Sequence, residues 1–225
     1  MNRLTVTHVR KLAREMADQR IKEALAQWMQ AFLHPNVPIL ILPGGGMPKL
    51  MTDGAIGFDV RLRRVVDAFE MDERTPYLRK TLYDFSSILD SSVVDLIERR
   101  EVKEFKRPRM VYRLDPGEKV LCSAGFVVEM PYPLCYLTMC RSGIASRYHI
   151  GIVNSPGTID PDYRGEAGLS LENRGRRPFY LYQGMRIAQI KFEWAVIPRF
   201  KLLRSYRQFS KTARGGKGFG STLFR

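Results

Sequence analysis

An all-β barrel or sandwich is the fold class this sequence predicts, and three observations carry it. Short apolar or alternating runs recur from Ile56 onward, as in IGFDVRLRRV, KVLCSAGFVVEM, CYLTMC, GLSLEN and PFYLYQGMRIAQIKFEWAVI. Turn-forming clusters separate them: DPGEK, SPGT, DPDYRG and NRGRRP. Helical patterning is confined to two stretches, near the start and at about 72–106.

From Thr7 to Leu33 the apolar residues Val9, Leu12, Met16, Ile21, Leu25, Trp28, Met29 and Phe32 fall at helical spacing. One or two amphipathic helices follow, closed by HPNVP and read as a packing or oligomer-contact element rather than a DNA-contacting one. PILILPGGGMP reads as a short strand and a glycine turn. It lacks the Lys-Ser/Thr sequel of a phosphate-binding loop. The stretch TPYLRKTLYDFSSILDSSVVDLIERREVKEF reads as a helical insertion with an acidic surface. Asp67 to Glu104 holds ten acidic and six basic residues. Arg199 to Arg225 holds eight basic residues and no acidic one. The expected organisation is a helical extension (1–50), a β domain (51–198, insertion at about 72–106) and a basic C-terminal arm with a glycine-rich end (199–225).

At 225 residues, 44% hydrophobic and 27% charged, the chain has the composition of a globular protein. No apolar run reaches the roughly 20 residues that span a bilayer, and the start lacks the apolar centre of a secretory signal. Cys122, Cys135 and Cys140 are odd in number and sit among apolar residues, which suits buried thiols in a reducing, cytoplasmic setting. The net charge of +14 suits phosphate, whether one triphosphate or a nucleic acid. His8, His34 and His149 are scattered, with no zinc spacing.

The chemistry concentrates in CRSGIASRYHIGIVNSPGTIDPDYRGEAGLSLENRG. Each residue has an ordinary reading alone: Asp160 as a turn carboxylate capping backbone N–H groups, Tyr163 as a packing ring, Asn154 as a turn residue. As a set they resemble the trimeric dUTPases. GFDVRL around Asp59 resembles the first family motif, RSG (Arg141, Ser142, Gly143) the second and GTIDPDYRGE the third. GMRIAQ, ending at Gln189, resembles the fourth and RGGKGFGST, starting at Arg214, the fifth. The order is the family's; Asn154 follows Ser142 by twelve positions and Asp160 follows Asn154 by six.

The resemblance implies a mainly β fold, a distorted dUTPase-like barrel of the β-clip kind, assembled as a homotrimer with active sites between subunits. It implies hydrolysis of dUTP to dUMP and pyrophosphate, with Asp160 as the base that aims and deprotonates a water. An aspartate in a solvated turn is ionised at neutral pH, as that role requires. Mg²⁺ would bridge phosphate oxygens, completed by water rather than by direct protein ligands. Arg141, Ser142, Gly143 and Gln189 would hold the phosphates. Tyr163 would lie under the sugar and leave no room for a 2′-hydroxyl. Asn154, with the main chain near Gly157 and Ile159, would read the pyrimidine edge. Asp59 would support the phosphate site, with Arg186 as its partner. The glycine-rich arm would close as a lid: Arg214 on the γ-phosphate, Phe219 over the base, and Gly220, Ser221 and Thr222 near the phosphates.

The same superfamily holds the dCTP deaminases. FDVRLRRVVDAF and the long insertion before RLDPGEKVLC resemble these. Deaminases carry IDPG where this chain has IDPD. Their proton-shuttling glutamate lies ten positions after the third-motif aspartate, and Ser170 stands there. Glu172, two residues on, would share its strand face. Met185 replaces a common fourth-motif aspartate, and LFR follows Thr222 where glycine is usual. The expected activity is dUTP hydrolysis. The alternatives are dCTP deamination, alone or with hydrolysis, and a regulator that uses the basic surface on nucleic acid or protein.

Overall fold

The computed structural model describes residues 6–102, 105 and 107–216. By its contacts the chain divides into two units, one ending at Ala195 and one beginning at Val196.

The first unit opens with helix α1 (Val6–Leu33). Fourteen strands follow: β1 (Ile39–Ile41), β2 (Phe58–Arg61), β3 (Arg64–Met71), β4 (Arg79–Tyr83), β5 (Ile97–Arg100), β6 (Arg109–Leu114), β7 (Lys119–Ser123), β8 (Phe126–Val128), β9 (Leu134–Cys140), β10 (Ile150–Ile152), β11 (Gly157–Ile159), β12 (Gly168–Asn173), β13 (Phe179–Leu181) and β14 (Arg186–Trp194), with a short helix α2 (Ser142–Tyr148) between β9 and β10. They form antiparallel sheets in the orders β10-β12-β7-β3-β4, β11-β9-β14-β2, β13-β6-β5 and β1-β8. The mainly β expectation is met.

Alternation explains how the sheets close on one core. In β12, Leu169, Leu171 and Asn173 point inward while Ser170 and Glu172 share the outer face. Leu169 and Leu171 join Phe126, Tyr136, Leu114, Leu181 and Ile190 in a single cluster drawn from all the larger sheets. Asn173 is fully buried and fully satisfied. Its amide donates to the carbonyls of Leu114 and Arg177, both at 2.9 Å, and its oxygen accepts from Gly175 N–H at 2.9 Å.

Two expectations change. The helical pattern of 7–33 gives one helix, and among its described side chains the contact with the rest of the chain is made by the last turn. Phe32 stacks on Trp194 at 4.9 Å, and Trp194 Nε1 donates to the Phe32 carbonyl at 2.9 Å. Met16, Ile21, Leu25, Trp28 and Met29 are all more than half exposed. The helix ends where Pro35 removes the next backbone donor. The second change is the insertion, whose only helix among the described residues is a 3₁₀ segment, Ser91–Leu96, between β4 and β5. Three of its aspartates are turn acceptors rather than parts of a solvated helix face. Asp72 accepts from Arg74 and Thr75 N–H, Asp84 from Ser86 and Ser87 N–H, and Asp90 from Ser92 N–H. Each such bond offers the backbone an alternative to helix. For Asp90, those bonds to Ser92 and then Lys80 hold the carboxyl well down, at about 2.

In the second unit a capping box starts a 3₁₀ turn, Tyr206–Gln208, with Gln208 Oε1 accepting from Ser205 N–H at 3.2 Å. Phe200, Leu202 and Tyr206 are nearly fully exposed. No helix among the described residues is long and apolar enough to cross a membrane.

Candidate active site

Strand β14 lies between β9 and β2, with Gln189 opposite Met139 on one side and Asp59 on the other. This register gathers four side chains from separate parts of the sequence. Asp59 is buried, 3% exposed. It accepts from Gln189 Nε2 at 2.9 Å and Arg186 Nη1 at 3.1 Å, and pairs with Arg141 Nε at 3.2 Å. Arg141 Nη1 in turn donates to the Arg186 carbonyl at 3.0 Å. A buried carboxylate costs several kcal/mol unless paired, so this node holds both guanidiniums in place, with Asp59 as their counter-ion. Arg141 precedes α2, where Ser142 and Gly143 are exposed in the first turn.

A second group surrounds β11. Asn154 is exposed in the turn from β10, and Gly157 to Ile159 pair with Thr138 to Tyr136 of β9. Thr138 Oγ1 donates to the Gly157 carbonyl at 3.3 Å. Asp160 follows in an exposed bend, its side chain without a hydrogen-bond or ion-pair partner among the described residues. Its carbonyl accepts from Tyr163 N–H at 3.2 Å, which closes the bend. The capping role that a turn carboxylate usually takes is therefore not Asp160's.

Tyr163 is set by residues that sequence reasoning missed. Its hydroxyl donates to the Glu166 carbonyl at 3.1 Å. The ring covers Gly165 so closely that any Cβ there would overlap the hydroxyl oxygen. Burial raises the phenol above the ordinary tyrosine value, so it stays protonated and able to donate. Glu166 is fixed by its own carboxylate: Oε2 accepts from Arg63 Nη1 at 2.9 Å and Oε1 from Gly125 N–H at 2.8 Å, both buried. Arg63 Nε donates to the Pro43 carbonyl at 2.8 Å. The glycine triplet finds its reason here. Gly45 packs directly on the Gly125 carbonyl, where no side chain would fit. The triplet is a close-packing device that braces the Tyr163 loop. Nothing in local spacing announces it, because Arg63 and Glu166 lie 103 positions apart.

The two groups do not meet within one chain. Asp160 follows Ile159, which pairs with Tyr136, so it lies beside Cys135. Arg141 and Ser142 follow Cys140 at the other end of β9. Five residues of strand separate those ends, about 16 Å at 3.3 Å per residue.

Ser170 and Glu172 lie on the outer face of β12. Ser170 is near the Asn154 turn, its carbonyl accepting from Val153 N–H at 2.9 Å. Glu172 is one step away and occupied, with Arg174 Nε at 2.6 Å and Lys119 Nζ at 3.9 Å. The Arg174 hydrogen bond holds its carboxyl below the usual range. A proton shuttle needs the opposite shift.

In the second unit, Arg214 is exposed in a turn where Gly215 N–H donates to the Thr212 carbonyl at 3.2 Å. Phe219, Gly220, Ser221 and Thr222 lie outside the described residues. Cys122, Cys135 and Cys140 are free thiols.

The model of the family described as dUTPase matches residues 109–223. A deoxyuridine 5′-triphosphate nucleotidohydrolase of Chlamydia trachomatis is 39% identical over 107 residues, 48% of this chain and 72% of that protein. The enzyme of that name from an Anaeromyxobacter species is 42% identical over 109 residues, again 48% and 72% of the two chains. Among solved structures, the dUTPase of Staphylococcus bacteriophage 80alpha with dUPNHPP superposes with a TM-score of 0.58. It covers 84% of this chain and 98% of its own at 19% identity, a likeness of fold. The family match spans half of the sequence and contains every residue of the Asp160 group, and with it the chain belongs to the dUTPase family.

Proposed function

We propose that the protein hydrolyses dUTP to dUMP and pyrophosphate. The observation that carries this reading is Asp160: an exposed, unpartnered carboxylate in the bend that also seats Tyr163, within the segment matched by the family. Water attacks the α-phosphorus as Asp160 takes its proton, and the bond from that phosphorus to the bridging oxygen breaks, releasing pyrophosphate. Arg141, Ser142, Gly143 and Gln189 hold the phosphates, with Asp59 and Arg186 keeping Arg141 and Gln189 oriented. Asn154 and the main chain at Gly157 and Ile159 read the base. Arg214, Phe219, Gly220, Ser221 and Thr222 belong to a closing arm.

Among the described residues no group of three His, Cys, Asp or Glu side chains is placed to hold a metal ion. That donor set suits Mg²⁺ carried by the phosphates and water, where it would neutralise triphosphate charge. The separation of the two residue groups along β9 supports an assembly, a homotrimer, in which Asp160 and Tyr163 of one subunit meet Arg141 and Gln189 of another. The free thiols fit a cytoplasmic setting.

Product chromatography after incubation with dUTP, dCTP or dTTP and Mg²⁺ tests the reading. The expected result is dUMP and pyrophosphate from dUTP alone. Formation of dUTP from dCTP instead would favour deamination, against which the ion-paired Glu172 argues. The seating of Tyr163 gives a second expectation. Gly165→Ala must push the ring aside, and the ratio of kcat/KM for dUTP over UTP should fall by about tenfold or more. An unchanged ratio would separate Tyr163 from sugar selection.

A further inference from the structure

We propose that the cleft at the C-terminal end of α2 is a binding site for single-stranded nucleic acid, separate from the nucleotide site. The cleft has a volume of about 740 Å³, and its walls include Arg147, Tyr148, Arg174, Arg176, Arg177 and Phe179, with no acidic residue among its lining. Arg174 is taken up by Glu172 at 2.6 Å. Arg147, Arg176 and Arg177 are exposed, and their guanidiniums make no ion pair or hydrogen bond with any described residue. Three unpaired cations around one concavity repel each other unless an anion joins them, and a chain of phosphates supplies several anions at once.

The walls are built rather than loose. The loop 174–178 is tied down by the buried Asn173, whose amide holds the Arg177 carbonyl and whose oxygen holds Gly175 N–H. Arg174 N–H donates to the His149 carbonyl at 3.0 Å, joining the loop to the end of α2, where His149 turns the chain at φ 59°. The arginines are therefore presented on a fixed backbone, which lowers the ordering cost of binding.

Tyr148 chooses the class of ligand. Its ring is backed by buried Phe179 at a centroid distance of 5.3 Å, yet Tyr148 remains 54% exposed. A supported, open aromatic face beside a row of guanidiniums is what an unpaired base with flanking phosphates requires. A duplex offers no free base face to that ring, and an isolated phosphate does not use it. The site is distinct from the phosphate-holding residues. Ser142 lies at the other end of α2, about 10 Å away for seven residues of helix. Asn154 lies toward the opposite end of β12, beside Ser170.

Fluorescence anisotropy with a labelled ten-residue oligothymidylate, using the full-length protein, tests this. Tyr148→Ala should weaken binding about tenfold, and Tyr148→Phe should restore it, since only the stacking face is needed. Arg176→Ala with Arg177→Ala should weaken binding and make the dependence of log K on log salt shallower by about 1.4, for two lost phosphate contacts. Turnover of dUTP should be unchanged in all three variants. The proposal is overturned if the oligonucleotide fails to bind at physiological salt. Indifference of binding to both substitutions, which would locate it on the basic arm, overturns it equally. So does equal affinity for duplex or for dTMP, which would leave Tyr148 no role. None of these outcomes depends on which nucleotide the enzyme hydrolyses.

Discussion

Asp160→Asn is expected to lower dUTP turnover by about 10²- to 10⁴-fold while leaving dUTP affinity within a few-fold of the parent. The substitution keeps the size and shape of the side chain and removes its capacity to take a proton. Few structural effects confuse the comparison, because the Asp160 carboxylate is exposed and holds no backbone N–H or cation among the described residues. Asp162, next but one, gives the control. It is exposed in the same bend, and Asp162→Asn should leave turnover near the parent value. Single-turnover kinetics with dUTP and equilibrium binding of a non-hydrolysable analogue separate the two quantities. Parental turnover in Asp160→Asn would remove this carboxylate from the chemistry. A parallel loss of affinity would make it a binding group instead.

What could be read in advance depended on whether local pattern or distant partners decide a residue's position. Alternation in GLSLEN shows from the string alone that Ser170 and Glu172 share a face, because strand geometry fixes side-chain direction at a period of two. That Glu172 is tied up is half local: Arg174 stands two positions away, but Lys119 reaches it only through the pairing of β7 with β12. Asp59 and the three residues around it were legible as separate motifs. Their convergence depends on β2 and β9 flanking β14, which no spacing in the sequence reveals. The Arg63–Glu166 brace was invisible for the same reason, and so was the purpose of the glycine triplet. The acidic insertion misled for a different one. The stretch reads as helical, but aspartates at 72, 84 and 90 capture nearby N–H groups and turn the chain first. For α1 the periodicity correctly implies a helix, yet periodicity does not say what covers its apolar stripe. Among the described side chains of the helix, those of the last turn are the ones that meet the rest of the chain.

Co-expressing Asp160→Asn chains with Arg141→Ala chains should restore activity that neither variant has alone. The reasoning is geometric. Asp160 and Arg141 lie at opposite ends of β9, about 16 Å apart along the strand, farther than a water and one α-phosphate can bridge. If the two groups meet across a subunit boundary, a site is intact only where an Arg141→Ala chain supplies Asp160 and an Asp160→Asn chain supplies Arg141. Random assembly from equal amounts makes about a quarter of the sites intact, because closed cyclic symmetry pairs each chain with a specific neighbour. Mixed assemblies purified through two different tags leave out the uniform ones, and a mixed trimer holds one intact site of three, so turnover of about a third of the parent is the expected result. A site complete within each chain would stay inactive in every mixture, since each chain would carry one lesion. Arg141→Ala suits the test because Asp59 keeps Arg186 and Gln189 as partners when Arg141 is removed. The buried carboxylate is then not stranded, and the variant retains its fold. Size-exclusion chromatography of each variant alone, eluting with the parent, separates a broken site from a broken assembly.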